Sequence, residues 1–171
     1  DSQLNRLLAP PSPQDREKPC YHPGSIVPAG NFVDLMFKEL ALHDWDIRSS
    51  FEPEARLSPD SLPSIILLIS GSLASGSLSW AFWPGPRLSA PVRYRFEVTE
   101  RVPIRADIVV EGDKARLEDS GKGSANVTFR CDTETFVLLM YGRLAPAPTI
   151  TGGRLVVEGD GELAAQFGQW F

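Results

Sequence analysis

The stretch that decides the fold of the C-terminal half runs from Asn126 to Phe171 and reads "NVTFRCDTETFVLLMYGRLAPAPTITGGRLVVEGDGELAAQFGQWF". Its first residues alternate apolar and polar side chains, which is the pattern of a half-buried strand. Asp132 or Thr133 then stands at an N-cap position, and the apolar run that follows predicts a helix ending at Gly142. After a short loop, "GRLVVEGD" predicts a last strand and "GELAAQFGQWF" a closing helix.

The sequence just upstream has the two-residue period of strands. "VRYRFEVT" (92–99) alternates apolar and charged residues. "RADIVVEGD" (105–113) and "KARLEDSG" (114–121) follow, and the Gly-Asp pair between them fits the turn of a hairpin. Residues 88–171 therefore predict an α+β domain with an antiparallel-leaning sheet and two helices near the C-terminus.

Helical periodicity governs the residues before this domain. In "AGNFVDLMFKELALHDWDIRSSF" (29–51), Asn31 is a candidate N-cap with Asp34 three residues on. Apolar residues at helical spacing then predict a long amphipathic helix. Its stripe includes Glu39 and His43, so we expect both side chains on a buried face.

A second long helix is predicted to begin at Ser58, with Pro59 at its first position. Trp80, Phe82 and Trp83 close it, either as core between domains or as a platform for a ligand. The sequence "PGPR" (84–87) then ends the helix and marks a domain boundary.

The predicted fold class is α+β, in three parts. Residues 1–29 form a proline-rich arm, residues 30–84 the helical segment, and residues 88–171 the sheet-and-helix domain. Two amphipathic helices cannot bury all their apolar surface alone. We expect one face to pack on the C-terminal domain and another to be covered by a second copy, as in a homodimer, or by further N-terminal helices.

Composition excludes several classes of partner. The net charge is −5 and the Lys and Arg residues are dispersed, so the sequence contains no basic cluster of the kind that binds nucleic acid. No apolar run approaches the ~20 residues of a membrane span.

Cys20 and Cys131 lie in unrelated contexts, so we expect reduced thiols and a cytoplasmic location. Because the chain begins with Asp1, we expect processing or a fragment of a longer protein.

The segment "KELALHDWDIR" (38–48) has the spacing of a metal site. Glu39 and His43 are four residues apart, and carboxylate with neutral imidazole suits a zinc-type ion. Asp46 is placed to orient the imidazole. The alternative is a buried, hydrogen-bonded Glu–His pair without metal.

The C-terminal pattern of strand, acid-capped helix, Gly-Arg, Gly-x-Leu-x-Val-x-Gly-Asp and final helix resembles the sterol carrier protein-like fold. This fold serves both as a lipid-binding tunnel and as an accessory domain on enzymes, so the resemblance implies either role.

The stretch "HPGSIVPAGNFVDLMFKELALHDWDIR" (22–48) resembles the third helix of the DinB/YfiT-like four-helix bundle, above all in the mycothiol-dependent maleylpyruvate isomerase family. That family pairs its bundle with a sterol carrier-like domain. The resemblance implies that Glu39 and His43 are two of three metal ligands, with Asp46 completing the motif. The third ligand, a histidine of an earlier helix, is not in this sequence, so the chain is either a fragment or a reduced form.

Two further residues are candidates for the same site. His22 is either a substitute ligand or an ordinary loop residue. Arg143 matches a Gly-Arg of the isomerase family near the active site between its domains, which implies a catalytic residue that clamps a substrate carboxylate. Alternatively, Arg143 interacts with carbonyls at the end of the preceding helix.

Two functions follow from these resemblances. The first is an enzyme, a metal-assisted, thiol-dependent isomerase or transferase acting on a small acidic substrate. It would use a divalent metal, with zinc as the expected ion, and a low-molecular-weight thiol. The second is a non-catalytic binding module whose sterol carrier-like domain holds a hydrophobic or lipid-like ligand.

Overall fold

The computed structural model describes residues 12–22, 25–75, 81–83, 85–100 and 103–171. The elements of the N-terminal half are α1 (Pro13–Arg16), β1 (Pro19–His22), β2 (Ser25–Pro28), α2 (Asn31–Ser49) and α3 (Leu62–Ser75). Those of the C-terminal half are β3 (Val92–Val98), β4 (Ile104–Glu111), β5 (Lys114–Asp119), β6 (Val127–Cys131), α4 (Thr133–Met140), α5 (Pro146–Thr151), β7 (Leu155–Gly159) and α6 (Gly161–Gln166).

The five C-terminal strands form one mixed sheet in the order β5-β4-β3-β6-β7. The β3–β6 pair is parallel and the other three pairs are antiparallel. The predicted hairpin is confirmed: Glu111 pairs with Lys114, and Gly112 takes a φ of 63° in the turn between β4 and β5. Glycine enters this left-handed region without the steric cost of a Cβ atom.

Helix α4 follows β6 directly and is held at both ends. The Asp132 carboxylate, not Thr133, accepts a hydrogen bond from the Thr135 backbone N–H at 2.6 Å, which caps the helix. At the other end Gly142 has a φ of 67°, which turns the chain away from the helix. Both ends therefore lie where the sequence predicts them.

The predicted short loop before β7 contains a further helix. Pro146 occupies the first position of α5, and the Thr149 hydroxyl donates to the Ala145 carbonyl oxygen at 2.7 Å. This helix has six residues and lacks an apolar stripe, so hydrophobic periodicity does not reveal it.

The core between the sheet and its helices is aromatic. The large side chains that fill it are at most 1% exposed and include Tyr94, Phe96, Phe129, Phe136, Phe167 and Trp170. Several of these rings contact one another edge to face, with centroids about 5 Å apart, as in Phe96–Phe136 and Tyr94–Phe167. Burial of each contributes about 2–3 kcal/mol. Side chains thus fill the interior between sheet and helices.

The opposite face of the sheet carries an ionic network centred on a buried carboxylate. Asp107 accepts hydrogen bonds from Arg95 at 2.8 and 2.9 Å and from Arg93 at 3.0 Å. Burial raises the pKa of Asp107, but the hydrogen bonds from the two guanidinium groups outweigh burial and hold the pKa below its usual value. The Asp107 carboxylate is therefore charged although it is inaccessible to solvent.

Helix α2 begins one residue earlier than predicted, at Asn31. Gly30 occupies the N-cap position without a side-chain hydrogen bond, and Asn31 is already helical. The buried face of α2 is formed by Ala41, Leu42 and Trp45. The Trp45 indole N–H donates to the Ala55 carbonyl oxygen at 3.1 Å, which fixes the linker against the helix.

The prediction of a buried Glu39 and His43 is wrong. Their side chains are 47% and 65% exposed, on the flank of α2 opposite its buried face. The physical reason is that α2 is apolar on two sides. Periodicity finds both apolar stripes but does not say which one packs inward.

The second helix is shorter than predicted. A 3₁₀ turn at Pro59–Ser61 precedes α3, and α3 ends its described part at Ser75. Residues 81–83 are not helical. Trp80, which was also predicted to lie at the end of this helix, is outside the described residues.

The predicted proline-rich arm also contains regular structure. Ser12 and Asp15 form a capping box on α1, and β1 pairs with β2 in an antiparallel hairpin. Prolines at the strand ends, Pro19 and Pro28, are compatible with such short strands. Prolines are therefore present in the arm together with regular structure.

Candidate functional site

The Arg143 side chain joins the two halves of the chain. Its Nε and Nη2 atoms donate to the two carboxylate oxygens of Asp46, each at 2.8 Å. Its Nη1 atom donates to the Tyr141 carbonyl oxygen at 3.0 Å. Arg143 is placed by the turn at Gly142, where the Arg143 backbone N–H also donates to the Leu138 carbonyl oxygen at 2.8 Å. Arg143 thus contacts both a carbonyl at the end of α4 and a carboxylate from α2.

A row of polar groups on α2 continues from this pair. Asp46 Oδ2 lies 3.1 Å from His43 Nδ1, and His43 Nε2 lies 3.3 Å from Glu39 Oε2. Lys38 Nζ lies 2.7 Å from Glu39 Oε1. The structure therefore places Glu39, His43, Asp46 and Arg143, the four residues predicted from the sequence, in one cluster across the boundary between the two halves.

Electrostatic contacts keep both carboxylates charged. The hydrogen bond from Arg143 holds the pKa of Asp46 below its usual value. The hydrogen bond from Lys38 does the same for the pKa of Glu39. Burial raises the pKa of the nearby Tyr141 hydroxyl, so that group is neutral at physiological pH.

The cluster supplies an incomplete set of metal ligands. Among the described residues, no group of three or more His, Cys, Asp or Glu side chains converges to hold a metal ion. Glu39 Oε2 and His43 Nε2 provide two ligands, whereas a zinc site takes three or four from the protein. His22, the candidate substitute, contacts Phe32 with ring centroids 6.0 Å apart. The described residues thus do not complete a zinc site.

A cleft of about 430 Å³ adjoins Arg143. It lies between the C-terminal end of α4, the segment 81–83 and the last residue, and its lining residues are Ala81, Trp83, Met140, Tyr141, Gly142, Arg143 and Phe171. This volume is in the range of small-molecule sites, which are mostly apolar with a few polar groups. The cleft therefore has a mixed lining, in which aromatic side chains lie beside polar groups and one guanidinium group.

Backbone and ring contacts hold the walls of this cleft. The Trp83 N–H donates to the Trp170 carbonyl oxygen at 2.9 Å, and the Phe82 ring meets the Phe171 ring edge to face at 5.9 Å. The Trp83 side chain itself is 75% exposed. The two roles predicted for the aromatic residues, core packing and a ligand platform, thus fall to different residues. Phe82 packs on the C-terminal domain, and Trp83 lies at the cleft.

A second link between the halves lies at the other end of α4. Glu134 accepts hydrogen bonds from the Arg56 guanidinium and the Leu57 backbone N–H, each at 2.9 Å. A polar cleft of about 280 Å³ lies beside it, and Asp132 is in its wall. The sequence did not single out this pair, because 78 residues separate Arg56 from Glu134 and neither belongs to a motif.

The sequence also missed the cleft walls Met140, Tyr141 and Phe171. Their signal was indirect: Met140 and Tyr141 directly precede the predicted helix end at Gly142, and Phe171 closes the predicted final helix. Only the fold brings these ends together.

Comparisons with solved structures give weak likenesses. The chain is 14% identical to a sterol carrier protein-2 like-3 protein from Aedes aegypti, with a TM-score of 0.38, covering 62% of this chain and 92% of that one. It is 16% identical to sterol carrier protein 2 from Yarrowia lipolytica, with a TM-score of 0.34, covering 64% and 88%. A variant of the sec-alkyl sulfatase PisA1 has a TM-score of 0.42 at 16% identity, with 67% of this chain but 16% of the sulfatase covered.

No curated protein matches the chain. In the part of the chain that the structure describes, none of the helices is both long and apolar enough to cross a membrane.

The family comparison covers the sheet domain. Residues 88–171 match the SCP-2 sterol transfer family, beginning four residues before β3 and reaching the last residue. This range is the one that the sequence predicted for the sterol carrier-like domain. The C-terminal half of this chain is an SCP-2 sterol transfer family domain.

Proposed function

We propose that this chain binds a hydrophobic or lipid-like ligand through its SCP-2 family domain, in the cleft beside Arg143. The observation that carries the proposal is the cleft at the end of α4, where the aromatic residues Trp83 and Phe171 lie beside a single cationic group, Arg143. The family to which residues 88–171 belong supports a hydrophobic ligand. The aromatic core is filled, so the ligand enters at the rim of the domain.

The composition of the cleft favours an amphiphile. Trp83, which is 75% exposed, and the partly exposed Phe171 offer apolar surface to a hydrocarbon chain. A guanidinium group has five N–H donors, and Arg143 gives three of them to Asp46 and Tyr141. The other two have no partner among the described residues and would hydrogen-bond a polar or anionic head group.

Binding of cis-parinaric acid, a fatty acid that fluoresces in apolar surroundings, tests the proposal. Energy transfer from tryptophan to the bound acid would report the dissociation constant. We expect Trp83→Ser to weaken binding about tenfold, which corresponds to about 1.4 kcal/mol. Leu67→Ser, at another exposed apolar position, is the control and is expected to leave binding unchanged.

The contribution of Arg143 is tested by the methyl ester of the same acid. We expect Arg143→Met to weaken binding of the acid but not of the ester. Arg56→Met removes a guanidinium from the other link between the halves and serves as the matched control. Equal affinity of all variants, or no binding by the unaltered chain, would overturn the proposal.

A second candidate is the metal-assisted, thiol-dependent transferase or isomerase. The observation in its favour is that Glu39, His43, Asp46 and Arg143 meet in one cluster. Because the described residues offer two ligands, a metal would need another ligand from outside them. Calorimetric titration with Zn²⁺ tests the candidate: stoichiometric binding lost in His43→Ala supports it, and heat unchanged by that substitution rejects it.

The finer parts of the resemblance remain predictions. The family match begins at residue 88, so it does not reach the stretch that resembles the DinB/YfiT-like bundle. A cytoplasmic location likewise stays a prediction from the two unpaired cysteines.

A further inference from the structure

The outer face of α2 carries an exposed apolar stripe. The large apolar side chains that are exposed along it and just beyond its end are Val33, Met36, Phe37, Leu40, Ile47 and Phe51. The C-terminal half behaves differently: among its described residues, Val156 is the exposed large apolar side chain. Exposed apolar surface is thus concentrated on the N-terminal half, and a contiguous patch of this kind marks an interaction site.

Helix α2 carries apolar residues on two sides. Its inner face buries Ala41, Leu42 and Trp45, and its outer face carries the exposed stripe centred on Leu40. A helix on a protein surface normally has a polar outer face, so an apolar stripe there indicates a covering neighbour. No described residue of the same chain encloses the outer face.

The spacing of the stripe is symmetric about one residue. Val33 and Ile47 lie seven residues before and after Leu40. Seven residues are about two turns, so the three side chains share one face. If a second α2 packs antiparallel with Leu40 on the two-fold axis, Val33 meets Ile47 of the second copy at both ends. A two-fold interface requires this self-complementarity.

The same register determines which other side chains meet. With Leu40 on the axis, residues whose numbers add to 80 face each other, so Phe37 of one copy faces His43 of the other. The second copy would also cover the exposed imidazole of His43.

The charge of the N-terminal half argues against a membrane as the occupant. Residues 12–75 contain five Lys and Arg against nine Asp and Glu, a net charge of −4. Anionic lipid surfaces attract polybasic segments and repel acidic ones. We infer that the outer face of α2 is a two-fold interface for a second copy of this chain, with Leu40 at its axis.

Light scattering after size exclusion tests the interface. We expect a mass of twice 18.8 kDa for the unaltered chain and 18.8 kDa for Leu40→Glu. Val33→Glu and Val156→Glu form a matched pair, because both valines are 54% exposed. The first should produce monomers and the second should not. Circular dichroism would confirm that each variant is folded.

Cross-linking tests the register independently of the ligand proposal. In a Cys20→Ser background, Leu40→Cys should form an intermolecular disulfide on oxidation with diamide, because its two copies face each other at the axis. Val33→Cys alone should not, but a mixture of Val33→Cys and Ile47→Cys chains should. A monomeric unaltered chain, a dimer indifferent to Leu40→Glu, or binding to phosphatidylserine vesicles in place of dimerisation would each overturn the inference.

Discussion

At the scale of single residues, the Asp107 carboxylate is a charge held in place by two guanidinium groups. It is fully buried and receives hydrogen bonds from Arg93 and Arg95. Removing one partner from a buried ion pair leaves an uncompensated charge, which costs about 3–5 kcal/mol. We expect Asp107→Asn to lower the free energy of unfolding by about 3 kcal/mol, measured by urea denaturation.

The same carboxylate predicts how stability depends on pH. Because its pKa in the folded chain lies below the ordinary value, its contribution is complete above about pH 4 and is lost as the pH falls through the lower, folded value. Asp107→Asn should therefore lose less stability than the unaltered chain on acidification. Parallel pH profiles for the two proteins would contradict this assignment.

The ion pair between Asp46 and Arg143 should show a measurable coupling energy. Its bidentate geometry is favourable, but the Asp46 side chain is partly open to solvent, which weakens the interaction. We expect a double-mutant cycle of Asp46→Asn and Arg143→Met to give about 1 kcal/mol or less. A cycle of Arg143→Met with Asp44→Asn, whose carboxylate pairs with Arg48, should give a coupling near zero.

Residue-scale prediction from sequence succeeded where the partners are close in the chain. The spacing of Glu39, His43 and Asp46 on one helix placed them within contact of each other. It did not reveal that Asp46 binds Arg143, which lies 97 residues away. Sequence spacing determines which residues are neighbours on a helix. Contacts between residues far apart in the sequence depend on tertiary packing, which a local motif does not show.

At the scale of elements, the β6–β7 pair depends on a glycine. Gly159 has a φ of 99°, and a Cβ atom at this position would overlap the Asn126 carbonyl oxygen. That carbonyl cannot move freely, because it accepts a hydrogen bond from the Asp160 N–H at 3.0 Å. The backbone here requires glycine for two reasons, its conformation and its close approach.

We expect Gly159→Ala to lower the free energy of unfolding by about 3 kcal/mol, through left-handed strain and steric overlap. Gly112→Ala is the control, since Gly112 has a positive φ but open space around it. It should cost about 1 kcal/mol. Equal losses for the two variants in thermal denaturation would show that overlap at Asn126 contributes nothing.

The helices and strands with the most regular sequence patterns were predicted best. Strands with alternating side chains, such as β3, and the capped helix α4 agree with their sequence patterns. Short elements held by local hydrogen bonds, namely α1 and α5, escaped prediction because they bury too few apolar residues to show a period. Helix α3 was predicted too long, because an apolar composition continues past its described end at Ser75.

At the scale of the whole molecule, α4 connects the two halves. Glu134 at its start binds Arg56, and Arg143 just beyond its end binds Asp46. The helical segment is therefore tied to the SCP-2 family domain at both ends of one helix. The cleft lies beside the second of these links, so changes in α2 are positioned to alter it.

The sequence predicted the C-terminal domain but not the surface of the N-terminal half. A sheet face and a core of aromatic residues follow from strict alternation in the strands. The orientation of α2 did not follow, because both of its faces are apolar. Which face packs inward is decided by the shape of the domain it meets.

Binding of a hydrophobic ligand in the cleft lined by Trp83, Met140, Arg143 and Phe171 can be observed residue by residue. The measurement is the change in backbone amide shifts of ¹⁵N-labelled protein, recorded by NMR during titration with cis-parinaric acid. We expect saturable shifts concentrated at residues 81–83, 140–143 and 171. Shifts confined to another surface, such as the cleft between Glu97 and Arg105, or no shifts at all, would contradict it.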